Sequence, residues 1–295
     1  MPTRRATSSA YCAASPPAST RSRGAAVYDS ASPQAVLDDH SPAGGWLRRW
    51  RTPGDGPPRR RLLCLPPAGG AAHLYADWAR VLGHTTEVAA VELPGRGARG
   101  GEPPLNRMAD IVTGVESALD TLPELPLVVF GHSMGAVVGW ELCRSLRHRR
   151  DVLVRGMVAA ATPAPHLPPP RRWQAGSDTR DEDLLRLLDH SQSLPPELRG
   201  NAEFLRLYLP VLRADVEVLA RHRPRRERPM PCALSIYVGA GDPLVTEQDA
   251  WPWAPGEVSG ERALHVFPGG HFFPHEHPGP VLRRLARDLD TMTAP

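Results

Sequence analysis

The most constraining feature of the chain is the segment 131–135, which has the sequence G-H-S-M-G. Four apolar residues, 127–130, precede it, and a helix-like stretch, 136–147, follows it. A strand that turns this sharply into a helix forces the turn residue into a strained conformation, and flanking glycines leave room for the crossing. The hydroxyl of Ser133 is then exposed beside the amino end of a helix, whose free N–H groups suit an anion. The segment therefore predicts a nucleophilic serine at position 133.

Strands and helices alternate from about residue 60 onward. Apolar runs typical of buried strands occupy 61–65, 87–93, 127–130, 154–161, 233–238 and 262–267. Helical patterns occupy 72–82, 105–122, 136–147, 181–188, 203–219 and 280–289, and a helical turn is predicted within 245–254. Strands linked by helices lie parallel and are covered on both faces. Together with the turn at Ser133, this order predicts an α/β-hydrolase fold with a mostly parallel sheet.

Two segments depart from the alternation. Residues 1–44 are rich in Ala, Ser, Pro and Arg without apolar periodicity, so we predict a disordered N-terminal extension followed by a hydrolase domain at 45–295. Within that domain, residues 171–223 contain helical patterns only. An insertion there would lie over the carboxyl ends of the strands, so we predict a helical lid above Ser133. The alternative is a helical pair without a gating role.

Composition excludes several classes of function. The 295 residues, 41% of them hydrophobic, suffice for one large core. No apolar stretch is long enough to cross a membrane or resembles a signal peptide, so we expect a cytoplasmic protein. The net charge of +3 and the lack of a basic stripe with aromatics argue against nucleic acid. The four cysteines show no C-x-x-C spacing, so we expect no metal site. We also expect a monomer that needs no cofactor.

A serine nucleophile needs a base, and the base needs an acid that fixes its tautomer. In this fold the chain order is Ser, acid, His. Asp242 follows the predicted strand 233–238 in a glycine-containing turn, and His271 follows the last strand after two glycines. We therefore predict Ser133, Asp242 and His271 as a catalytic triad. Asp215 is the alternative acid.

Acyl transfer also requires two donors for the tetrahedral oxyanion. The N–H of Met134, directly after the serine, is the first candidate. The second is the N–H of Ala68, in the loop 66–70 with the sequence P-P-A-G-G, since Pro67 has no N–H. The alternative interpretation of that loop is a tight turn with no further role.

Blocks spread along the chain strengthen the prediction. They are C-L-P-P-A-G-G at 64–70, E-L-P-G-R-G at 92–97, G-H-S-M-G-A at 131–136, W-E-L at 140–142, L-P-V-L-R-A-D at 209–215, G-D-P at 241–243 and G-G-H-F-F at 269–273. In order and spacing they resemble the type II thioesterases of polyketide and nonribosomal peptide synthesis, from about Trp46 to the C-terminus. The resemblance implies an editing hydrolase that removes aberrant or short acyl groups from phosphopantetheine arms. It also implies the same triad and the same oxyanion donors.

The implied partners are acyl or peptidyl carrier proteins, which are usually acidic. Arginines in and beside the insertion could steer such a partner, or they are ordinary solvated side chains. These arginines are Arg171, Arg172, Arg221, Arg223, Arg225 and Arg226. A chain-releasing thioesterase, a lipase-like esterase and a carrier-binding scaffold without activity remain alternatives.

Overall fold

The computed structural model describes residues 36–37, 45–54, 56–150, 154–165, 167, 179–191, 194, 196–223, 229–230, 232–253, 258 and 260–294. Most of the predicted extension 1–44 lies outside these residues. The exception is a two-residue strand, β1 (Val36–Leu37), which pairs with the next strand and so interrupts the segment for which we predicted disorder.

Eight strands form one sheet, in the order β1-β2-β4-β3-β5-β6-β7-β8. The further strands are β2 (Leu47–Arg51), β3 (Arg60–Leu65), β4 (Thr86–Val91), β5 (Leu127–His132), β6 (Val154–Ala160), β7 (Ala233–Gly239) and β8 (Arg262–Phe267). Strand β1 pairs antiparallel with β2, and β2 pairs antiparallel with β4. The remaining five pairings are parallel. The predicted α/β class with a mostly parallel sheet is confirmed.

Helices cover both faces of this sheet. Within the described residues they are α1 (Trp78–Leu82), α2 (Met108–Asp120), α3 (Met134–Arg150), α4 (Asp181–Ser191), α5 (Pro196–Arg199), α6 (Ala202–Arg221), α7 (Glu247–Ala250), α8 (Phe273–Glu276) and α9 (Pro278–Met292). Along β5, Val129 joins the core cluster that contains α2 and α3, whereas Val128 and Phe130 join the cluster that contains α1 and α9. This alternation is the two-residue period of a strand that is buried on both faces. No helix in the described part of the chain is long and apolar enough to cross a membrane.

Two elements differ from the sequence expectation. The single helix predicted at 72–82 is a 3-10 helix, Ala72–Tyr75, followed by α1. Residues three apart lie on one side of a 3-10 helix, so Ala72 and Tyr75 both reach the core. Strand β2 was not predicted because its three arginines hide the apolar pattern. Arg49 is nevertheless buried, because it pairs with Glu87 of β4.

Candidate active site

Ser133 lies at the turn between β5 and α3, with a φ of 54°. Left-handed backbone at a residue other than glycine is uncommon and marks local strain. The crossing is tight on both sides. A Cβ added to Gly131 would overlap the backbone of Ala136, and one added to Gly135 would overlap the carbonyl of Leu65 on β3. Both glycines of the G-x-S-x-G segment are therefore required by close backbone contacts.

The structure brings together the three residues predicted as a triad. Asp242 follows β7 and His271 follows β8, so both lie at the carboxyl edge of the sheet near Ser133. His271 Nε2 lies 3.0 Å from Ser133 Oγ, and His271 Nδ1 lies 2.9 Å from Asp242 Oδ2. All three residues are buried, at 3 to 7% exposure. Both distances are within hydrogen-bond range.

Asp242 is held by the backbone that follows it. Its Oδ1 accepts hydrogen bonds from the N–H groups of Leu244 at 2.7 Å and Val245 at 3.1 Å. The second oxygen, Oδ2, is left to face His271. Because a carboxylate only accepts, this contact places the hydrogen of His271 on Nδ1 and leaves Nε2 as an acceptor for the serine proton.

The alternative acid, Asp215, is engaged elsewhere. It lies on α6 and is fully buried, and both of its oxygens accept hydrogen bonds from Arg96, at 2.6 and 2.7 Å. It also accepts the N–H of Gly69 at 2.7 Å. These bonds assign Asp215 to the loop after β3 and not to His271.

Ala68 and Met134 are the residues predicted to supply the two oxyanion donors. Met134 is the first residue of α3, and Ala68 lines the same pocket as Ser133, in the loop after β3. Within the described residues, neither N–H donates a hydrogen bond. Met134 is buried and Ala68 is partly buried. Backbone donors that have no protein partner beside a nucleophile are available to a bound oxygen.

The pocket above Ser133 is mainly apolar. It holds about 580 Å³ of empty space, part of which opens to solvent. Helices α4 and α6, which lie between β6 and β7, supply Leu187, Leu188, Ser191, Leu212, Val216 and Leu219, and the sheet edge supplies Pro67, Ala68, Leu244, His271 and Phe272. An apolar chain attached to a carbonyl at Ser133 would therefore be surrounded by side chains from the inserted helices.

The buried His132 and the partly buried His275 lie behind His271. His132 Nε2 donates to the carbonyl oxygen of His271 at 2.8 Å, and His275 lies with its ring centroid 5.3 Å from that of His132. Burial, with help from these neighbouring histidines, holds the pKa of His132 well below its ordinary value. Burial likewise lowers the pKa of His275 to about 4. His132 fixes the backbone of His271 and does so as a neutral ring.

Other expectations fall partly outside the described residues. Of the arginines proposed to steer a partner, only Arg221 and Arg223 are described. Arg221 pairs with Glu217, and Arg223 donates to the carbonyls of Ala220 and His222. In the part of the chain that the structure covers, no group of three or more His, Cys, Asp or Glu side chains is arranged to hold a metal ion.

Comparison with known proteins agrees with this geometry. The thioesterase domain family matches residues 60–289. The gramicidin S biosynthesis protein GrsT of Aneurinibacillus migulanus is 30% identical over 235 residues, which cover 80% of this chain and 91% of that protein. A probable cadicidin biosynthesis thioesterase of Streptomyces griseus is 33% identical over 278 residues, or 93% of this chain and 73% of the relative.

Solved structures extend the similarity to three dimensions. The type II thioesterase BorB from the borrelidin biosynthetic cluster superimposes with a TM-score of 0.71 at 30% identity, covering 84% of this chain and 98% of BorB. The family match spans every strand from β3 to β8 and includes the serine turn and the loops that carry Asp242 and His271. The chain therefore belongs to the thioesterase domain family and is a serine-dependent thioesterase of the α/β-hydrolase fold.

Proposed function

We propose that this enzyme hydrolyses acyl thioesters carried on the phosphopantetheine arms of carrier proteins in a polyketide or nonribosomal peptide pathway. The hydrogen-bonded series Ser133, His271 and Asp242, placed beneath an apolar pocket, is the observation that carries the proposal. The names of the relatives, which include antibiotic biosynthesis proteins and a type II thioesterase, support the pathway.

The mechanism follows from the atoms at the site. His271 Nε2 accepts the proton of Ser133 Oγ as that oxygen attacks the thioester carbonyl. The tetrahedral oxyanion accepts hydrogen bonds from the N–H groups of Met134 and Ala68. Collapse of the intermediate breaks the C–S bond, and His271 returns its proton to the departing thiolate. A water molecule, deprotonated by His271, then attacks the acyl-serine and releases the acid and the free hydroxyl.

An editing role, in which aberrant or short acyl groups are removed, fits the shape of the pocket. Its apolar walls would accept an acyl chain, and the inserted helices that supply them would limit the length of that chain. We propose that residues 171–223 act as the lid, because α4 and α6 supply half of the residues that line the pocket at the serine. The cytoplasmic location and the monomeric state stay predictions.

The decisive experiment offers the purified enzyme a series of acyl-carrier proteins and the matched small acyl thioesters. Released acid and free carrier thiol are measured by mass spectrometry. We expect hydrolysis of short acyl carriers, and loss of turnover and of fluorophosphonate labelling in Ser133→Ala, which removes one oxygen and no core volume.

The alternatives predict different results. Labelling by fluorophosphonate without turnover of any carrier thioester, but with turnover of simple esters, would identify an esterase. Preference for a full-length product would identify a chain-releasing enzyme. Wild-type turnover by Ser133→Ala would contradict the proposed mechanism.

A further inference from the structure

Three buried charged side chains hold the loop 66–72, which carries the N–H of Ala68. They come from separate parts of the chain: Glu92 follows β4, Arg96 lies four residues later, and Asp215 lies on α6. All three are no more than 7% exposed. Charged residues are rarely this buried unless they are paired, and here each is also bonded to the backbone of one loop.

The contacts fall on successive groups of the loop. Asp215 Oδ2 accepts the N–H of Gly69 at 2.7 Å, Arg96 donates to the carbonyl of Gly70 at 3.2 Å, and Glu92 Oε1 accepts the N–H of Ala72 at 3.4 Å. Arg96 and Asp215, which bond to Gly70 and Gly69, are also joined to each other by a bidentate ion pair. Such a fork-to-carboxylate pair fixes orientation as well as distance.

These contacts fix the loop next to the proposed oxyanion donor. Asp215 holds the peptide group that joins Ala68 to Gly69, and the ring of Pro67 restricts the residue before Ala68. Gly69 has a φ of +72°, and a Cβ there would overlap the hydroxyl of Tyr208 on α6. A side chain at position 69 would therefore not fit between the loop and α6.

Helix α6 also forms part of the acyl pocket. Leu212, Val216 and Leu219 line the pocket, and Asp215 lies between them in the sequence. One helix therefore supplies both a wall of the chamber and the anchor of the loop. The ion pair connects that helix to the sheet edge where the chemistry takes place.

We propose that Arg96 and Asp215 are positioning residues, which set the place of the Ala68 N–H against the oxyanion and connect the oxyanion site to the lid helix. This inference rests on the proposed function, since it assumes that Ala68 serves the tetrahedral intermediate. Neither side chain touches the substrate. Their effect is expected in kcat, because the oxyanion forms in the transition state and not in the bound ground state.

A single neutral substitution would change both the position of the loop and the stability of the fold, so it could not separate the two effects. Removing one member of a buried pair leaves the other charge uncompensated, whereas replacing both members with apolar residues of similar volume is often neutral. The test therefore compares the single variant Asp215→Asn with the double variant Arg96→Met, Asp215→Leu. Asp189→Asn is the matched control, because its ion pair with Arg199 lies at the exposed surface of the inserted helices.

Three quantities are measured for each variant: the thermal unfolding midpoint, kcat and KM on a short acyl thioester, and the inhibition constant of an alkylboronic acid, which forms a tetrahedral adduct on the serine. We expect the double variant to unfold near the wild-type midpoint while kcat falls about 10- to 100-fold, less than the loss of a whole donor. KM changes by less than about twofold, and boronate affinity falls by the same factor as kcat. Asp189→Asn matches the wild type in all three.

Arg96→Lys provides a second route if the double variant does not fold. Lysine keeps the charge but cannot form the bidentate contact, so an intermediate loss of kcat, about 3- to 10-fold, is expected. Wild-type kcat and boronate affinity in a folded variant would overturn the inference, as would a rise confined to KM. Those results would not affect the proposed function. The proposed function is contradicted by a different result, namely activity in Ser133→Ala.

Discussion

The two halves of the site are held in place by different forces. Ser133, Asp242 and His271 lie at strand ends, where backbone hydrogen bonds and a strained turn fix them. The pocket is walled by α4 and α6, which share a small cluster of five buried apolar residues. Val218 of α6 also belongs to one of the two large cores. A segment with so small a cluster opens at lower free energy than the sheet. We therefore expect the catalytic residues to be held rigidly and the fit of the acyl chain to be adjustable.

This comparison predicts that substitutions at strand ends change the rate for every substrate, and that substitutions in the inserted helices change selectivity. The Arg96–Asp215 ion pair joins α6 to the segment after β4, and both side chains also bond to the loop beside the serine. We expect this pair to keep α6 aligned with the strand ends that carry Ser133, Asp242 and His271.

The largest effect is expected at the base. His271→Ala removes the proton acceptor of Ser133 and should lower kcat on all thioesters by about 10⁴- to 10⁶-fold. Asp242→Asn should lower kcat less, by about 10³- to 10⁴-fold, because it changes the tautomer of His271. The amide oxygen would stay with the N–H groups of Leu244 and Val245 and turn the NH₂ toward His271 Nδ1, so that Nε2 carries the hydrogen and cannot accept the serine proton.

Steady-state kinetics on one short and one long acyl thioester test this prediction, with circular dichroism as the check on folding. The loss should be equal for both substrates. An active Asp242→Asn variant would contradict the assignment of the acid. A loss confined to the long substrate would contradict the division between rigid chemistry and adjustable fit.

The placement of Ser133, Asp242 and His271 at one edge of the sheet was predictable because its signals are local. The turn at Ser133 follows from glycines on either side of one residue, and the bounds predicted for β8, 262–267, match the structure. Asp242 and His271 each follow an apolar strand, and parallel strands bring their carboxyl ends to one edge. Short-range patterns and one rule of topology were enough to choose these residues.

The supporting contacts could not be predicted in the same way. Arg96 and Asp215 are 119 positions apart, and neither carries a local signal for the other. Both lie in blocks that resemble the thioesterases, which marks them without giving a role. The burial of His132 and His275 likewise depends on how α8 packs beneath the turn, a tertiary contact that no spacing reveals.

The adjustable half should respond to a change in pocket volume. Val216→Phe adds volume to the chamber wall, so we expect kcat/KM for a decanoyl thioester to fall about tenfold while that for an acetyl thioester stays within about twofold. Leu207→Phe is the control, because Leu207 lies on the same helix but is 62% exposed. Equal losses for both acyl lengths would argue against a chamber formed by α6.

The smallest effect concerns the stability of the rigid half in acid. Burial lowers the pKa of His275 to about 4, and it lowers the pKa of His132 as well, so the folded protein favours both rings in the neutral state. Between about pH 6.5 and pH 4 the unfolded chain binds more protons than the folded one, and the free energy of unfolding therefore falls as the pH falls. His275 alone should contribute about 1–2 kcal/mol of that loss between pH 7 and pH 5.

Denaturant unfolding of His275→Phe at both pH values should show a correspondingly weaker pH dependence. The control His190→Gln, at an exposed position, should retain the pH dependence of the wild type. An unchanged pH dependence in His275→Phe would show that the buried ring beneath the turn is not what makes the catalytic edge sensitive to acid.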